Sequence, residues 1–204
     1  MCGIVGYIGS QRAQDFVVDG LEKLEYRGYD SAGIAVNTGG KAFAVVKKQG
    51  RLKNLADALE ASPLEGLAAI GHTRWATHGK PSDENSHPHF NADKTIVVVH
   101  NGIIENYLEL KTELLTKGYH FTSETDTEVV AHLLDSVYEG DILEATKKVL
   151  KRIRGAYALG IMTVYEPDRI IALRKESPLI IGLGKCENFI ASGIPASLKY
   201  TRDV

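Results

Sequence analysis

Cysteine stands at position 2, directly behind Met1, and that placement permits chemistry that an internal cysteine cannot do alone. Initiator methionine is commonly removed before a small residue, and its loss would give Cys2 a free α-amine. A model α-amine titrates near ~7.7–8.0, close to working pH, so it can act as general base on its own side chain. The thiolate is a strong nucleophile. One residue would then supply both nucleophile and base. An arbitrary cysteine at this position is more often a small buried thiol at the start of a strand. Gly3 and Gly6 behind it permit close backbone approach and add little by themselves.

Other residues could complete a site for an amide substrate. Asn101-Gly102 follows an apolar stretch, and such a pair can present a side-chain amide and a backbone N–H to a developing oxyanion. An ordinary Asn-Gly turn explains the dipeptide slightly better on sequence alone. Arg74, Thr77 and His78 lie in a polar segment, where Arg is the natural bidentate clamp for a carboxylate and a surface charge is the bland alternative. Trp75, the only tryptophan, fits a contact surface or lid, or plain packing. Asp126 at the start of a helix could meet a ligand ammonium, though complementing the helix dipole is the commoner role. His72, His78, His87, His89 and His100 cluster mid-chain, but no His-x-x-x-His pair with an acidic residue and no Cys-x-x-Cys is present, so a zinc site is not expected. Phosphate-loop and dinucleotide fingerprints are absent as well.

The elements that must position these residues follow from periodicity. Cys2–Ile8 reads as a buried strand. Ser10 is placed to cap a helix with the stripe Ala13, Val17, Leu21 and Leu24. Residues 32–36 and 42–46 read as a hairpin around Asn37-Thr38-Gly39-Gly40, 52–59 as a helix and 67–72 as a strand. Residues 73–93 form a long polar loop, a length usually kept for function. Residues 95–99 read as a strand apolar on both faces, followed by a helix marked by Ile104, Tyr107, Leu108, Leu114 and Leu115 and stopped by Gly118. Thr125-Asp126-Thr127-Glu128 matches a capping box with Thr125 as N-cap, Asp126 at N1 and Glu128 at N3. Asp141 and Glu144 start a helix through Leu150, and strands are expected over 156–164, 169–173, 179–183 and 188–191. Without βαβ alternation, this order predicts a layered α/β sandwich with helices outside.

Bulk composition narrows the class. The 204 residues suit one domain, and 44% hydrophobic residues suffice for a core without staples. With 24 basic against 26 acidic residues and no basic run, nucleic-acid and membrane-surface partners have no electrostatic support. Two cysteines make no disulfide scaffold, and neither an export signal nor a membrane-spanning run is present, so a reduced, cytoplasmic setting is expected.

Six segments then carry a resemblance. They are Met1–Tyr7, Tyr26-Arg27-Gly28-Tyr29-Asp30-Ser31-Ala32-Gly33, His72–Gly79, His87-Pro88-His89, Val99–Asn106 and Ser123–Glu128. In this order they resemble the glutaminase domains of the glucosamine-6-phosphate synthase family, class II glutamine amidotransferases, from residue 1 to about 192. Related amidophosphoribosyltransferases and asparagine synthetases differ after the Arg27-Gly28 position. The resemblance implies an α+β fold, the four-layer αββα sandwich of N-terminal-nucleophile hydrolases. It implies Cys2 as nucleophile, its α-amine as base, and Asn101 with Gly102 as oxyanion hole. It implies that Arg74, Thr77 and His78 hold the α-carboxylate of L-glutamine and Asp126 its α-ammonium. Arg27 and His87 would organise the pocket, and Trp75 would gate ammonia passage. No metal or organic cofactor is required. Fructose 6-phosphate would be reached only through a synthase part that lies outside this chain, in a full-length enzyme expected to be a homo-oligomer. Residues 1–204 are expected to form a single glutaminase domain. Ala191-Ser192-Gly193 departs from the family's usual Ala-Ser-Asp. A non-catalytic glutamine-binding module and an amidotransferase with another acceptor stay open as alternatives.

Overall fold

The computed structural model describes residues 2–204. Two antiparallel sheets lie face to face. The first has six strands in the order β3-β2-β4-β1-β10-β9, comprising β1 (Gly3–Ile8), β2 (Ser31–Asn37), β3 (Ala44–Gln49), β4 (Ala68–Arg74), β9 (Ile180–Leu183) and β10 (Asn188–Ala191). The second has four, β5-β6-β7-β8, comprising β5 (His89–Phe90), β6 (Ile96–Ile104), β7 (Gly155–Thr163) and β8 (Ile171–Lys175). Helices α1 (Ala13–Glu22) and α2 (Leu52–Ala61) cover the outer face of the first sheet; α3 (Tyr107–Thr116), α4 (Thr127–Val137) and α5 (Ile142–Leu150) cover the second. The result is the expected four-layer αββα sandwich. Among the described residues, no helix is long and apolar enough to cross a membrane.

Strand alternation explains the layers. Ile4, Ile70 and Ile190 face Val97, Val99 and Ala158 across the gap between sheets. Val5, Tyr7 and Ile34 point the other way, onto Val17, Leu21 and Leu55. Val98, Leu159 and Ile161 meet Leu114, Val130 and Leu133 on the far side. Strands buried on both faces must be apolar throughout. Each fully buried leucine here contributes roughly 1.5–3 kcal/mol by burial. Gly71 makes one contact possible, because a Cβ there would lie 2.4 Å from Val17 Cγ1. Its absence lets α1 settle onto β4.

Helix starts differ from expectation where a tertiary partner serves the helix N–H or takes the capping hydroxyl. Asp141 caps α5 as expected, its carboxylate accepting from the Leu143 and Glu144 N–H groups. Ser10 does not cap α1; Arg12 is the N-cap residue and has no side-chain cap bond. In its place the Ala13 N–H donates to the Gly66 carbonyl at 2.8 Å. Thr125 is not the N-cap of α4 either. Its Oγ1 pairs with His89 Nε2 at 3.0 Å, the helix starts one residue later, and Asp126 occupies the N-cap rather than N1. Glu128 still reaches back, to the Thr122 and Ser123 N–H groups at 2.8 and 2.7 Å.

Strand β6 is the larger correction. It does not end at Val99 but runs to Ile104, pairing Asn101 with Ala158 and Gly102 with Tyr157. Helix α3 therefore begins only at Tyr107. The polar loop is pinned rather than open. Gln49 N–H donates to Asp83 at 2.6 Å, Lys47 Nζ to the Glu84 carbonyl at 2.9 Å, and Asn85 Nδ2 to Glu124 at 2.9 Å. The C-terminal residues pack too: Tyr200 lies on Phe16 with centroids 4.6 Å apart, and the Leu183 N–H donates to the Asp203 carbonyl.

Candidate active site

Sequence order matters little at the site, because the sandwich gathers distant segments at one end. The start of β1, the end of β4, the middle of β6 and the first turn of α4 surround a pocket of about 340 Å³. Cys2, Arg27, Arg74, Trp75, Thr77, His78, His87, Asn101, Gly102 and Asp126 all line it. Every residue singled out from the sequence as a candidate is thus at one cavity.

Cys2 is half-buried, and its Sγ accepts the Trp75 N–H at 3.2 Å. Burial pushes the thiol above its ordinary value, so a base must take the proton before sulfur becomes nucleophilic. Asn101 Nδ2 donates to the Cys2 carbonyl at 3.0 Å. Asn101 Oδ1 lies 2.9 Å from His72 Nε2, which is also 3.0 Å from the His100 carbonyl. Gly102 holds φ +120, a left-handed conformation that favours glycine, and a Cβ there would sit 2.0 Å from the Ala156 carbonyl oxygen. The dipeptide is part of a strand, so the simple turn reading does not apply. An amide and a backbone distorted in this way beside a thiol can receive the charge of a carbonyl under attack.

Arg74 and Asp126 supply opposite charge across the pocket. Arg74 is buried at the end of β4, its guanidinium donating to the carbonyls of His78, Gly79 and Lys80, and Asp30 Oδ1 lies 3.9 Å away. Of five N–H donors a guanidinium carries, three are used in this way and two remain for a ligand. The same bonds wrap residues 75–80 around it, with Asp30 also accepting the Ala76 N–H. That wrapping brings Thr77 and His78 to the pocket wall. Asp126 Oδ2 accepts the Ile104 N–H at 2.8 Å, while Oδ1 has only the Thr127 hydroxyl at 3.5 Å. An α-amino acid's carboxylate and ammonium would find partners on these two residues.

Arg27 NH1 donates to the Ser192 carbonyl at 3.0 Å, tying the end of β10 to the pocket rim. Trp75 is 49% exposed at the mouth, edge-on to Tyr29 with centroids 5.4 Å apart. His87 stacks on His72 at 4.1 Å, and its Nδ1 accepts the His100 N–H at 3.3 Å.

Sequence reasoning assigned no part in the pocket to His72, His100, Thr125 and Thr127, reading Thr125 only as a helix cap, yet all four lie at or behind the wall. His72, His87, His89 and His100 are all buried, and burial lowers each of them, His72 to about 3 and His87 and His89 well below the usual value. The cluster is a neutral hydrogen-bonding layer. Among the described residues, no group of three or more His, Cys, Asp or Glu is placed to hold a metal ion. The signal available in advance was the density of histidines in mid-chain, from His72 to His100. Ser177 and Pro178 also line the pocket, and nothing in their sequence marks them.

A family model described as a glutamine amidotransferase domain matches residues 72–199. The glutamine–fructose-6-phosphate aminotransferases (isomerising) of Clostridium acetobutylicum and Caldanaerobacter subterraneus subsp. tengcongensis are 58% and 60% identical over all of this chain and 33% of their own length. The chain therefore spans about a third of these curated relatives. Among solved structures, the glutamine phosphoribosylpyrophosphate amidotransferase of B. subtilis, complexed with ADP and GMP, superposes with a TM-score of 0.85 at 31% identity, covering 98% of this chain and 44% of that one. A glutamine aminotransferase class-II domain protein from Silicibacter pomeroyi shares the fold alone, with a TM-score of 0.57 at 14% identity over 93% of this chain and 88% of that one.

Proposed function

The chain belongs to the glutamine amidotransferase domain family, and from that premise we propose that it hydrolyses the side-chain amide of L-glutamine to glutamate and ammonia. The observation that carries the reading is the placement of the Cys2 thiol beside Asn101 and Gly102 in one pocket with Arg74 and Asp126. In the proposed reaction, removal of Met1 frees the Cys2 amine, which takes the thiol proton. Sulfur attacks the glutamine δ-carbonyl, and the oxyanion is received by the Asn101 amide and the Gly102 N–H. The amine returns the proton to the departing ammonia. Water then cleaves the γ-glutamyl thioester and regenerates the thiol. Arg74, with Thr77 and His78, holds the α-carboxylate, and Asp126 the α-ammonium. Arg27 and His87 keep the pocket in shape. These steps draw only on side chains and backbone of this chain.

We further propose that residues 1–204 act as one glutaminase domain. In proteins of the relatives' full length its ammonia would pass to fructose 6-phosphate, with Trp75 at the mouth gating the passage. The setting would be cytoplasmic and the full-length assembly a homo-oligomer. The test is glutamate release from L-glutamine by Met1-processed protein and by Cys2→Ala. Release that vanishes in the variant supports the mechanism. Release that survives Cys2→Ala would sink it.

A further inference from the structure

Asn101 can stabilise an oxyanion only if its amide presents nitrogen, not oxygen, to the pocket. The backbone does not decide this, because the two ends of an amide are nearly the same size. The surroundings do. Asn101 Nδ2 lies 3.0 Å from the Cys2 carbonyl, which only accepts, so nitrogen faces Cys2. Oδ1 lies 2.9 Å from His72 Nε2. That same Nε2 is 3.0 Å from the His100 carbonyl, another acceptor. An imidazole nitrogen between two oxygens must carry the proton. The opposite His72 tautomer would set a lone pair against both. A flipped Asn101 would set oxygen against the Cys2 carbonyl and NH2 against an N–H.

We propose that His72 is a positioning residue whose Nε2–H fixes the Asn101 amide with its nitrogen toward Cys2 and the oxyanion. The proposal rests on the amidotransferase reading above. His72 has no exposed surface and does not line the pocket, so it touches no substrate itself and meets Asn101 through Nε2. Among the described residues its other ring nitrogen, Nδ1, has no hydrogen-bond partner, which leaves the Nε2–H pair as the polar function of the side chain. The parallel stack on His87, 4.1 Å between centroids and 15° between planes, keeps the ring plane aimed at Asn101.

His72→Phe keeps the ring and the stack and removes the donor. Loss of a whole oxyanion donor slows turnover roughly 10²–10³-fold. His72→Phe leaves Asn101 Oδ1 buried without its donor, so the orientation with nitrogen toward Cys2 becomes the minor one and kcat should fall about 10–100-fold. KM for glutamine should stay within about twofold, since Arg74 and Asp126 are untouched. His72→Gln can reach Oδ1 with an amide N–H and should recover most of the loss; His72→Asn, whose amide is too short, should not. In the Asn101→Ala background, adding His72→Phe should change kcat less than about twofold, because the residue it serves is gone. A second readout is binding. The γ-semialdehyde of glutamate forms a tetrahedral adduct when the Cys2 thiol adds across its aldehyde, and the His72→Phe protein should bind it at least about tenfold more weakly while binding L-glutamate normally. The inference is overturned if wild type releases glutamate and His72→Phe retains its kcat, or if the two losses multiply in the double variant. Should His72→Phe not fold, the Gln–Asn contrast decides alone, and equal kcat in those two would overturn it. A wild type that releases no glutamate sinks the underlying reading with it.

Discussion

Lowering the pH from neutrality should destabilise this protein before its carboxylates titrate. His72, His87, His89 and His100 sit together in a dry layer, and burial lowers each of them. In the unfolded chain a histidine has a pKa near ~6.5. A folded value below the unfolded one means the unfolded chain binds more protons between the two, so stability is present above ~6.5 and is lost as pH falls toward the folded value. For His72 that value is about 3. Between about pH 7 and about pH 5 such a group removes about 2 kcal/mol of stability. His87, His89 and His100 are lowered by burial in the same direction, so they add to the loss from His72. Glu128 belongs to a different window. Burial opposes its charge, but hydrogen bonds from His132 and Ser123 and from the Thr122 and Ser123 N–H groups prevail and bring it to about 2. Its stabilisation is present above the usual carboxylate pKa and fades as pH falls toward that value. The assay is urea unfolding at several pH values, read by far-UV dichroism and by Trp75 fluorescence. His72→Gln should flatten the slope by about one proton. A stability that changes by less than about 1 kcal/mol across the interval would refute the reasoning.

Asn101→Ala should reduce kcat about 10²–10³-fold with little change in KM, whereas Arg74→Ala should raise the glutamine requirement more than it slows saturated turnover; steady-state kinetics of both variants will show the contrast or its absence. Arg74→Ala should also make residues 75–80 protease-sensitive, because their carbonyls lose the guanidinium that gathers them. Gly102→Ala brings a Cβ against the Ala156 carbonyl in a backbone of positive φ; strain of this kind costs about 1–3 kcal/mol. The expected outcome is a lower Tm and loss of glutamate release, and a variant with unchanged Tm would contradict the strained geometry.

The sandwich was legible because strands buried on both faces leave an unbroken apolar run, as in residues 96–99, and because the stripe Ala13, Val17, Leu21 and Leu24 marks α1. Asp141 was found as a cap because its partners are its own neighbours. Ser10 and Thr125 misled for the opposite reason: the local pattern is right, but Gly66 serves one helix start and His89 takes the other hydroxyl. Asn101-Gly102 looks like a turn because glycine rarely continues a strand; here the Tyr157 pairing continues through it. The site residues were readable from motifs and from the resemblance they carry. Of the histidine layer only His87 was given a part, and that through the resemblance, since periodicity cannot tell a neutral buried imidazole from a candidate metal ligand until its neighbours are known.

Strand β1, which carries Cys2 at its head, lies between β4 and β10. The Ile4 N–H is held by Ser192 Oγ, 188 residues further along the chain. During synthesis the thiol leaves the ribosome well before its brace. At ~5–20 residues per second the interval is on the order of 10–40 s. Throughout it the segment carrying Cys2 is outside the ribosome while the Ser192 carbonyl that Arg27 ties to the pocket rim has yet to be made. The wall of the pocket is therefore completed well after the thiol it surrounds has emerged, and on the proposed reaction the nucleophile would be unmasked before its pocket exists.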